Sequence, residues 1–247
     1  YTAALCVLAL EDHGILQGDG EFLVTGAAGG VGSVAIALLA ARELRVTAST
    51  GRASEEDFLR GLGASDIIDR HSLSEPRKML QAERWAGGID SVGSHTLVNA
   101  LAQTVYGGAF AACGLAGGAD LPGSVMPHIL RSVALLGVDS VMCPQPKRAR
   151  AWALLERDLD RAKLAALTTV APMADLPRLA DEIVAGKTRR APRVMQRLGL
   201  EWLWRLAQEP RRMLWRYVKG NTIFIVLTIR ERWRLSLIHI SEPTRPY

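Results

Sequence analysis

Only three cysteines occur among the 247 residues, and no two of them are closely spaced in the sequence. This pattern argues against both a disulfide framework and a cysteine-based zinc cluster. No apolar run is long and uninterrupted enough to span a membrane, and no secretory signal peptide opens the chain. The sequence therefore indicates a cytoplasmic protein in a reducing compartment.

Familiar metal and nucleophile motifs are lacking as well. The five histidines are scattered, with no HExxH or other paired spacing, so no metal site is predicted. No GxSxG nucleophile elbow is present. The catalytic residues therefore stay unknown at the level of sequence.

Positive charge is confined to one end of the chain. Residues 187–235 carry a net charge of +10, whereas residues 1–186 carry −5. The main body is mildly acidic, so no nucleic-acid partner is expected.

What the sequence does contain is a glycine-rich turn between an apolar strand and an apolar-periodic helix. The strand is predicted over 22–25 and the helix over 31–42, with the sequence GAAGG at 26–30. A side chain at Gly29 or Gly30 would keep the backbone away from a diphosphate, and a helix N-terminus attracts anions. The turn therefore predicts a dinucleotide site, and a tight turn without a ligand is the alternative.

Strands and helices alternate through the rest of the main body. Strands are predicted over 22–25, 45–49, 65–68, 89–92, 109–113 and 134–138, and helices over 31–42, 55–62, 96–104, 147–159 and 176–185. This alternation predicts an α/β fold with a doubly wound parallel sheet, the Rossmann-type nucleotide domain. Ligands bind such sheets at the carboxyl ends of the strands.

The end of the second predicted strand bears on the choice of nucleotide. An NAD site usually has an acidic residue there, which holds the ribose 2′-hydroxyl. This chain has Ser49-Thr50-Gly51-Arg52 instead. Because a hydroxyl and a guanidinium suit a 2′-phosphate, NADP(H) is favoured over NAD(H). The alternative is that Arg52 is a solvated surface charge.

Four segments, residues 2–15, 22–40, 50–70 and 87–144, carry a specific resemblance. They resemble the medium-chain dehydrogenase/reductase superfamily, in particular its zinc-free, quinone-oxidoreductase-like branch and the acryloyl-CoA reductases. The resemblance extends from about Thr2 to about Lys187. It implies an oxidoreductase that transfers hydride from NADPH to the activated double bond of acryloyl-CoA, a small-molecule acyl-CoA-type substrate. It also implies a homodimer formed through the nucleotide domain.

The resemblance assigns cofactor-binding roles residue by residue. It implies that the diphosphate is bound by Ala28, Gly29, Gly30 and Val31. It implies that Ser49 and Arg52 bind the 2′-phosphate. It places along the nicotinamide half Cys113, Gly114, Leu115, Gly137, Val138 and Asp139. For Cys113, a small buried apolar residue at a strand end is an equal alternative.

In this superfamily the nucleotide domain is inserted into a catalytic domain. Residues 1–187 are interpreted as the NADP(H)-binding domain, with the N-terminal catalytic region and the closing strand missing. Hydride transfer requires an acceptor carbon held against the nicotinamide. We therefore expect this chain alone to reduce acryloyl-CoA poorly or not at all. Turnover near the rate of an intact enzyme would contradict this expectation.

The C-terminal stretch resembles other sequences. Residues 190–235 resemble the C-terminal end of glycosyltransferases that move N-acetylmannosamine-type sugars onto undecaprenyl-linked intermediates. Residues 188–234 are predicted as a basic, amphipathic helical segment of foreign origin. Residues 235–247 are interpreted as an artefactual tail that resembles a translated sequencing adapter. The alternative function is a non-catalytic NADPH-binding module held at a membrane surface or partner by these helices.

Overall fold

The computed structural model describes residues 1–17, 20–168 and 170–185. The chain divides into two units, Tyr1–Thr169 and Val170–Tyr247. The predicted basic helices at 188–234 and the predicted tail at 235–247 lie outside the described residues. The first unit contains the sheet and the whole of the candidate site.

Six strands form one sheet in the first unit. They are β1 (Glu21–Val24), β2 (Arg45–Thr50), β3 (Asp66–Asp69), β4 (Trp85–Asp90), β5 (Thr104–Ala112) and β6 (Ala134–Gly137). Neighbouring strands all pair in parallel. Their order across the sheet is β3-β2-β1-β4-β5-β6. This is the order of a doubly wound dinucleotide-binding fold, so the predicted fold class is confirmed.

Nine α-helices accompany the strands in the part of the chain that the structure describes. They are α1 (Thr2–Asp12), α2 (Gly30–Ala40), α3 (Glu56–Leu62), α4 (His71–Ser74), α5 (Ser94–Ala102), α6 (Met126–Arg131), α7 (Gln145–Asp158), α8 (Arg161–Ala166) and, in the second unit, α9 (Leu176–Ala185). Helix α3 ends at Gly63, whose φ of 112° lies in the left-handed region that favours glycine. The sequence did not predict α4, α6 and α8, because helices of four to six residues are too short to show a periodic pattern.

The core lies on both faces of the sheet. Successive residues of β1 point to opposite faces, so Phe22 and Val24 pack in one hydrophobic cluster and Leu23 packs in the other. The larger cluster includes the buried residues of α1 and α2. The smaller one includes Trp85 and Phe110 together with buried residues of α5. Because both faces are covered there, the central strand β1 is apolar without interruption after Glu21, as buried parallel strands usually are.

Two strand boundaries differ from the sequence prediction. Strand β4 begins four residues before the predicted start at 89, and β5 begins five residues before the predicted start at 109. The predicted strand began only after Gly87 and Gly88, but both glycines lie inside β4. A Cβ on Gly88 would lie 2.7 Å from Cζ of Phe110, so glycine is needed there to admit the aromatic ring.

Candidate functional site

The candidate site lies at the carboxyl edge of the sheet, between β1 and β4. Successive strands are added to one side of β1 as far as β3, and the chain then returns to place β4 on the other side. The connections after β1 and β4 therefore diverge and leave a crevice, which is where doubly wound sheets bind their ligands.

The glycine-rich turn follows β1 and leads into α2. Gly26 has a φ of 59°, and its carbonyl accepts a hydrogen bond of 2.9 Å from the amide of Gly29. Gly29 is the N-cap of α2. A Cβ on Gly32 would collide with the carbonyl oxygen of Gly26 and lie 2.7 Å from Cα of Ala27. Gly26 therefore makes the tight bend, and Gly32 lets the helix pack closely on the turn.

Gly30 differs from Gly32 in its surroundings. Apart from its chain neighbours and the backbone of its own helix, a Cβ added to Gly30 would meet no atom within 4 Å. Packing within the protein therefore gives no reason for glycine at this position. The first N–H groups of a helix also have no partner inside the helix. The N-terminus of α2, where Ala28 to Val31 lie, therefore has the form of an anion site.

The exit of β2 brings Ser49 and Arg52 to the same edge of the sheet. Ser49 is buried, and its hydroxyl has no hydrogen-bond partner among the described residues. The carbonyl of Ser49 accepts a hydrogen bond of 3.2 Å from Ala27, which joins the β2 exit to the glycine turn. The Arg52 side chain is 65% exposed and forms a 3.3 Å ion pair with Glu55. An exposed pair of this kind is weak, so it would release the guanidinium at little cost.

A second arginine lies beside Arg52, and the sequence did not identify it. Arg70 follows β3, and its amide donates a 3.0 Å hydrogen bond to the carbonyl of Thr50. Its guanidinium group lies against Gly51, where an added Cβ would be 2.5 Å from Nε. Arg70 therefore lies beside the short segment that carries Arg52. The signal in the sequence was an arginine directly after a short strand, but only the β2–β3 pairing shows that it is near the second strand's exit.

Asp90, the last residue of β4, joins three strand exits. It is fully buried, and its Oδ1 accepts a 2.6 Å hydrogen bond from the hydroxyl of Thr25 after β1. Its Oδ2 accepts a 2.7 Å bond from the amide of Gly93. Its carbonyl accepts a 2.9 Å bond from the amide of Cys113 after β5. Asp90 therefore fixes the walls of the crevice relative to one another.

The electrostatics of Asp90 follow from its burial. Loss of water around the carboxylate raises its pKa above the ordinary value, and the hydrogen bonds from Thr25 and Gly93 oppose this rise. Sequence reasoning missed Asp90 because a single aspartate at a strand end forms no motif.

The residues expected along the nicotinamide half lie after β5 and β6. A Cβ on Gly114 would lie 2.9 Å from the carbonyl carbon of Ser91, so the two exits approach closely. Leu115 is exposed. The amide of Val138 donates a 2.9 Å bond to Ala112, which places the β6 exit beside that of β5. The Asp139 carboxylate accepts a bond from the amide of Val141 in its own loop.

The described part of the chain does not form a metal site. No group of three or more His, Cys, Asp or Glu side chains within residues 1–17, 20–168 and 170–185 is arranged to hold a metal ion. Over the same residues, no helix combines the length and apolar character needed to cross a membrane.

Comparison with known proteins identifies the family. The sequence pattern of the zinc-binding dehydrogenase family matches residues 30–157, which is more than half of the chain. The chain belongs to the zinc-binding dehydrogenase family. This confirms the resemblance to the medium-chain dehydrogenase/reductase superfamily. Despite the family's name, the described residues do not fit a zinc ion, so no step is assigned to one.

Individual curated proteins are similar to this chain. It is 50% identical over 190 residues to acrylyl-CoA reductase AcuI of Ruegeria pomeroyi, covering 76% of this chain and 58% of the relative. It is 48% identical over 184 residues to the probable acrylyl-CoA reductase AcuI of Escherichia coli, covering 74% and 56%. The chain thus spans somewhat more than half the length of these relatives.

A solved structure shows the same fold. The YhdH oxidoreductase of Salmonella enterica, determined in complex with NADP, superposes with a TM-score of 0.73 at 51% identity. The match covers 76% of this chain and 57% of that one. Separately, the glycosyl transferase WecG/TagA/CpsF family pattern matches residues 180–237, which confirms the resemblance expected for the C-terminal stretch.

Proposed function

We propose that this chain binds NADPH at the carboxyl edge of its sheet, as the nucleotide half of an acryloyl-CoA reductase-type oxidoreductase. The observation that carries the proposal is the contrast between Gly30 and Gly32 in one turn. Gly32 is required by packing, whereas Gly30 has no contact that requires glycine. Glycine at position 30 is explained if the diphosphate of a nucleotide approaches the backbone there.

The 2′-phosphate of NADPH fits the exits of β2 and β3. The Arg70 guanidinium lies against Gly51, and Arg52 is the next residue in the chain, so two guanidinium groups can be supplied to a dianionic phosphate at this place. The buried hydroxyl of Ser49 is a donor without a protein partner among the described residues. No carboxylate from β2 occupies this place, which disfavours a free 2′-hydroxyl.

The chain's contribution to the reaction is binding and orientation. When bound, NADPH supplies the hydride. Ala28, Gly29, Gly30 and Val31 would hold the diphosphate, and the segments Cys113–Leu115 and 137–139 would lie along the nicotinamide half. Asp90 would hold the segments that follow β1, β4 and β5 in fixed positions relative to one another. A bulky side chain such as Leu115 would orient the nicotinamide ring by contact.

Replacing either Arg52 or Arg70 with alanine should reduce the preference for NADPH over NADH. Each guanidinium contributes a charge-assisted hydrogen bond worth about 1.5–3 kcal/mol, so we expect roughly a tenfold to hundredfold rise in Kd for NADPH. The Kd for NADH should change little. Fluorescence titration of both nucleotides measures the two constants.

Arg60→Ala is the matched control. Arg60 is an exposed arginine on α3 that forms a salt bridge with Glu56, away from the strand exits. This variant should keep the wild-type preference. Equal affinity of wild type and both site variants for NADPH would refute the assignment of the 2′-phosphate.

The acceptor is proposed to be a small acyl-CoA thioester with an activated double bond. The similarity to acrylyl-CoA reductases supports this substrate class. Poor turnover of acryloyl-CoA by this chain alone stays a prediction, measured by NADPH oxidation at 340 nm.

A homodimer is proposed through the β6 side of the sheet. Strand β6 is at one edge, and Ile129 and Leu130 of α6 are 71% and 57% exposed. Open strand edges and exposed apolar side chains both favour association. Sedimentation equilibrium should give twice the chain mass, and Ile129→Lys should shift the measured mass to that of the monomer.

Membrane contact through residues 188–234 is a separate proposal. Liposome sedimentation of the chain with and without these residues tests it.

A further inference from the structure

Two of the three cysteines lie against each other beneath the candidate site. Cys6 is on α1 and is fully buried, whereas Cys113 directly follows β5 and is partly exposed. Helix α1 packs against β5. Cys113 packs against the hydrophobic cluster that contains Cys6, and the two thiols interact with each other. Both cysteines are free, so the pair is available for oxidation.

Cys113 has the character of the more reactive thiol. The hydrogen bond from the Cys6 thiol lowers the pKa of Cys113 below its ordinary value, while burial and the nearby Asp90 carboxylate oppose this. The Cys113 thiol donates a 3.4 Å hydrogen bond to the carbonyl oxygen of Asp90, which fixes its position beside the end of β4. A cysteine with a lowered pKa, partial exposure and a neighbouring thiol matches the pattern of redox-sensitive cysteines.

Cys6 has the character of the second, resolving thiol. Its pKa is raised, first by the hydrogen bond with Cys113 and then by burial. Cys6 therefore holds its proton more firmly than Cys113 does. Oxidation of Cys113 to a neutral sulfenic acid would remove the largest cause of that rise, so Cys6 would become easier to deprotonate when its attack is required.

We propose that Cys6 and Cys113 form a reversible disulfide when the protein meets hydrogen peroxide. The Cys113 thiolate attacks one oxygen of hydrogen peroxide, so that an S–O bond forms and the O–O bond breaks, giving a sulfenic acid and hydroxide. The hydroxide takes up the proton that the Cys113 thiol lost on ionisation and becomes the first water. Cys6 sulfur then attacks Cys113 sulfur, the S–S bond forms, and the S–O bond breaks. The proton of Cys6 leaves with the hydroxide as a second water. The two thiols are oxidised and the peroxide is reduced by two electrons.

The test is a thiol count on the full chain before and after brief treatment with hydrogen peroxide. Alkylation of the denatured protein should give three thiols before treatment and one afterwards, and dithiothreitol should restore three. Peptide mapping without reductant should recover the Cys6 and Cys113 peptides joined. Cys143 should be the thiol that remains, because the structure places no second thiol in contact with it.

Three variants make the result specific. Cys143→Ser leaves Cys6 and Cys113 unchanged, and peroxide should lower its thiol count from two to none. This result would support the proposal without any substitution in the pair. Cys6→Ala should leave Cys113 as a sulfenic acid that dimedone traps. Cys113→Ser should keep both remaining thiols. The proposal is overturned if peroxide leaves Cys6 and Cys113 free in wild type and Cys143→Ser, or if the disulfide contains Cys143 or joins two chains.

Discussion

Gly30→Ala should weaken NADPH binding at least about tenfold without destabilising the protein, whereas Gly32→Ala should destabilise the protein itself. A methyl group at Gly30 meets no atom within 4 Å, and alanine is a better helix former than glycine. It would, however, project where the proposed diphosphate approaches the backbone. A methyl group at Gly32 collides with the backbone of Gly26 and Ala27. Such overpacking costs about 1–3 kcal/mol.

The two variants make the same chemical change two residues apart, so their contrast is informative. Urea unfolding gives the stability, and NADPH titration gives the affinity. Gly61→Ala is the control, because Gly61 is in α3 and an added Cβ also meets nothing within 4 Å. Gly61→Ala should lower neither the free energy of unfolding nor the affinity for NADPH. Normal NADPH affinity of Gly30→Ala would show that the diphosphate does not bind at this turn.

Asp90→Ala is the second large expected effect. Removal of the carboxylate leaves the Thr25 hydroxyl and the Gly93 amide buried without their acceptors. Each buried unsatisfied group costs about 1–3 kcal/mol, so we expect a loss of about 2–5 kcal/mol in the free energy of unfolding. NADPH affinity should fall too, because the exits of β1 and β4 lose their connection. Asp57→Ala changes an exposed aspartate and should stay within about 0.5 kcal/mol of wild type.

The raised pKa of Asp90 also predicts how the free energy of unfolding changes with pH. The folded-state pKa of Asp90 is raised, so the protonated form is favoured by folding. Its stabilising contribution is full below the unfolded pKa of about 3.9 and is lost as pH rises through the folded pKa. Relative to Asp90→Asn, wild type should therefore be more stable at pH 4 than at pH 7.

Urea unfolding of both proteins at the two pH values measures this difference. Cys6 and Cys113 are the titratable neighbours of Asp90, and they are common to both proteins. A wild-type advantage that grows from pH 4 to pH 7 would contradict the raised pKa.

Local sequence was sufficient wherever the decisive contacts lie within a few residues. The turn from Gly26 to Gly32 is such a case, because a strand, a glycine bend and a helix follow one another directly. Helix α9 was predicted with its observed bounds, 176–185, because its apolar residues repeat at helical spacing. The start of β4 was not predicted, because the need for glycine at position 88 comes from Phe110 on a different strand.

The sequence by itself determined the alternation of strands and helices, the glycine turn after β1 and the absence of an acidic residue after β2. Each follows from residues adjacent in the chain. Tertiary structure alone placed Arg70 beside Gly51, Asp90 between three strand exits and Cys6 against Cys113. These contacts join residues about 20 to more than 100 positions apart, and only the order and register of a parallel sheet bring such residues together.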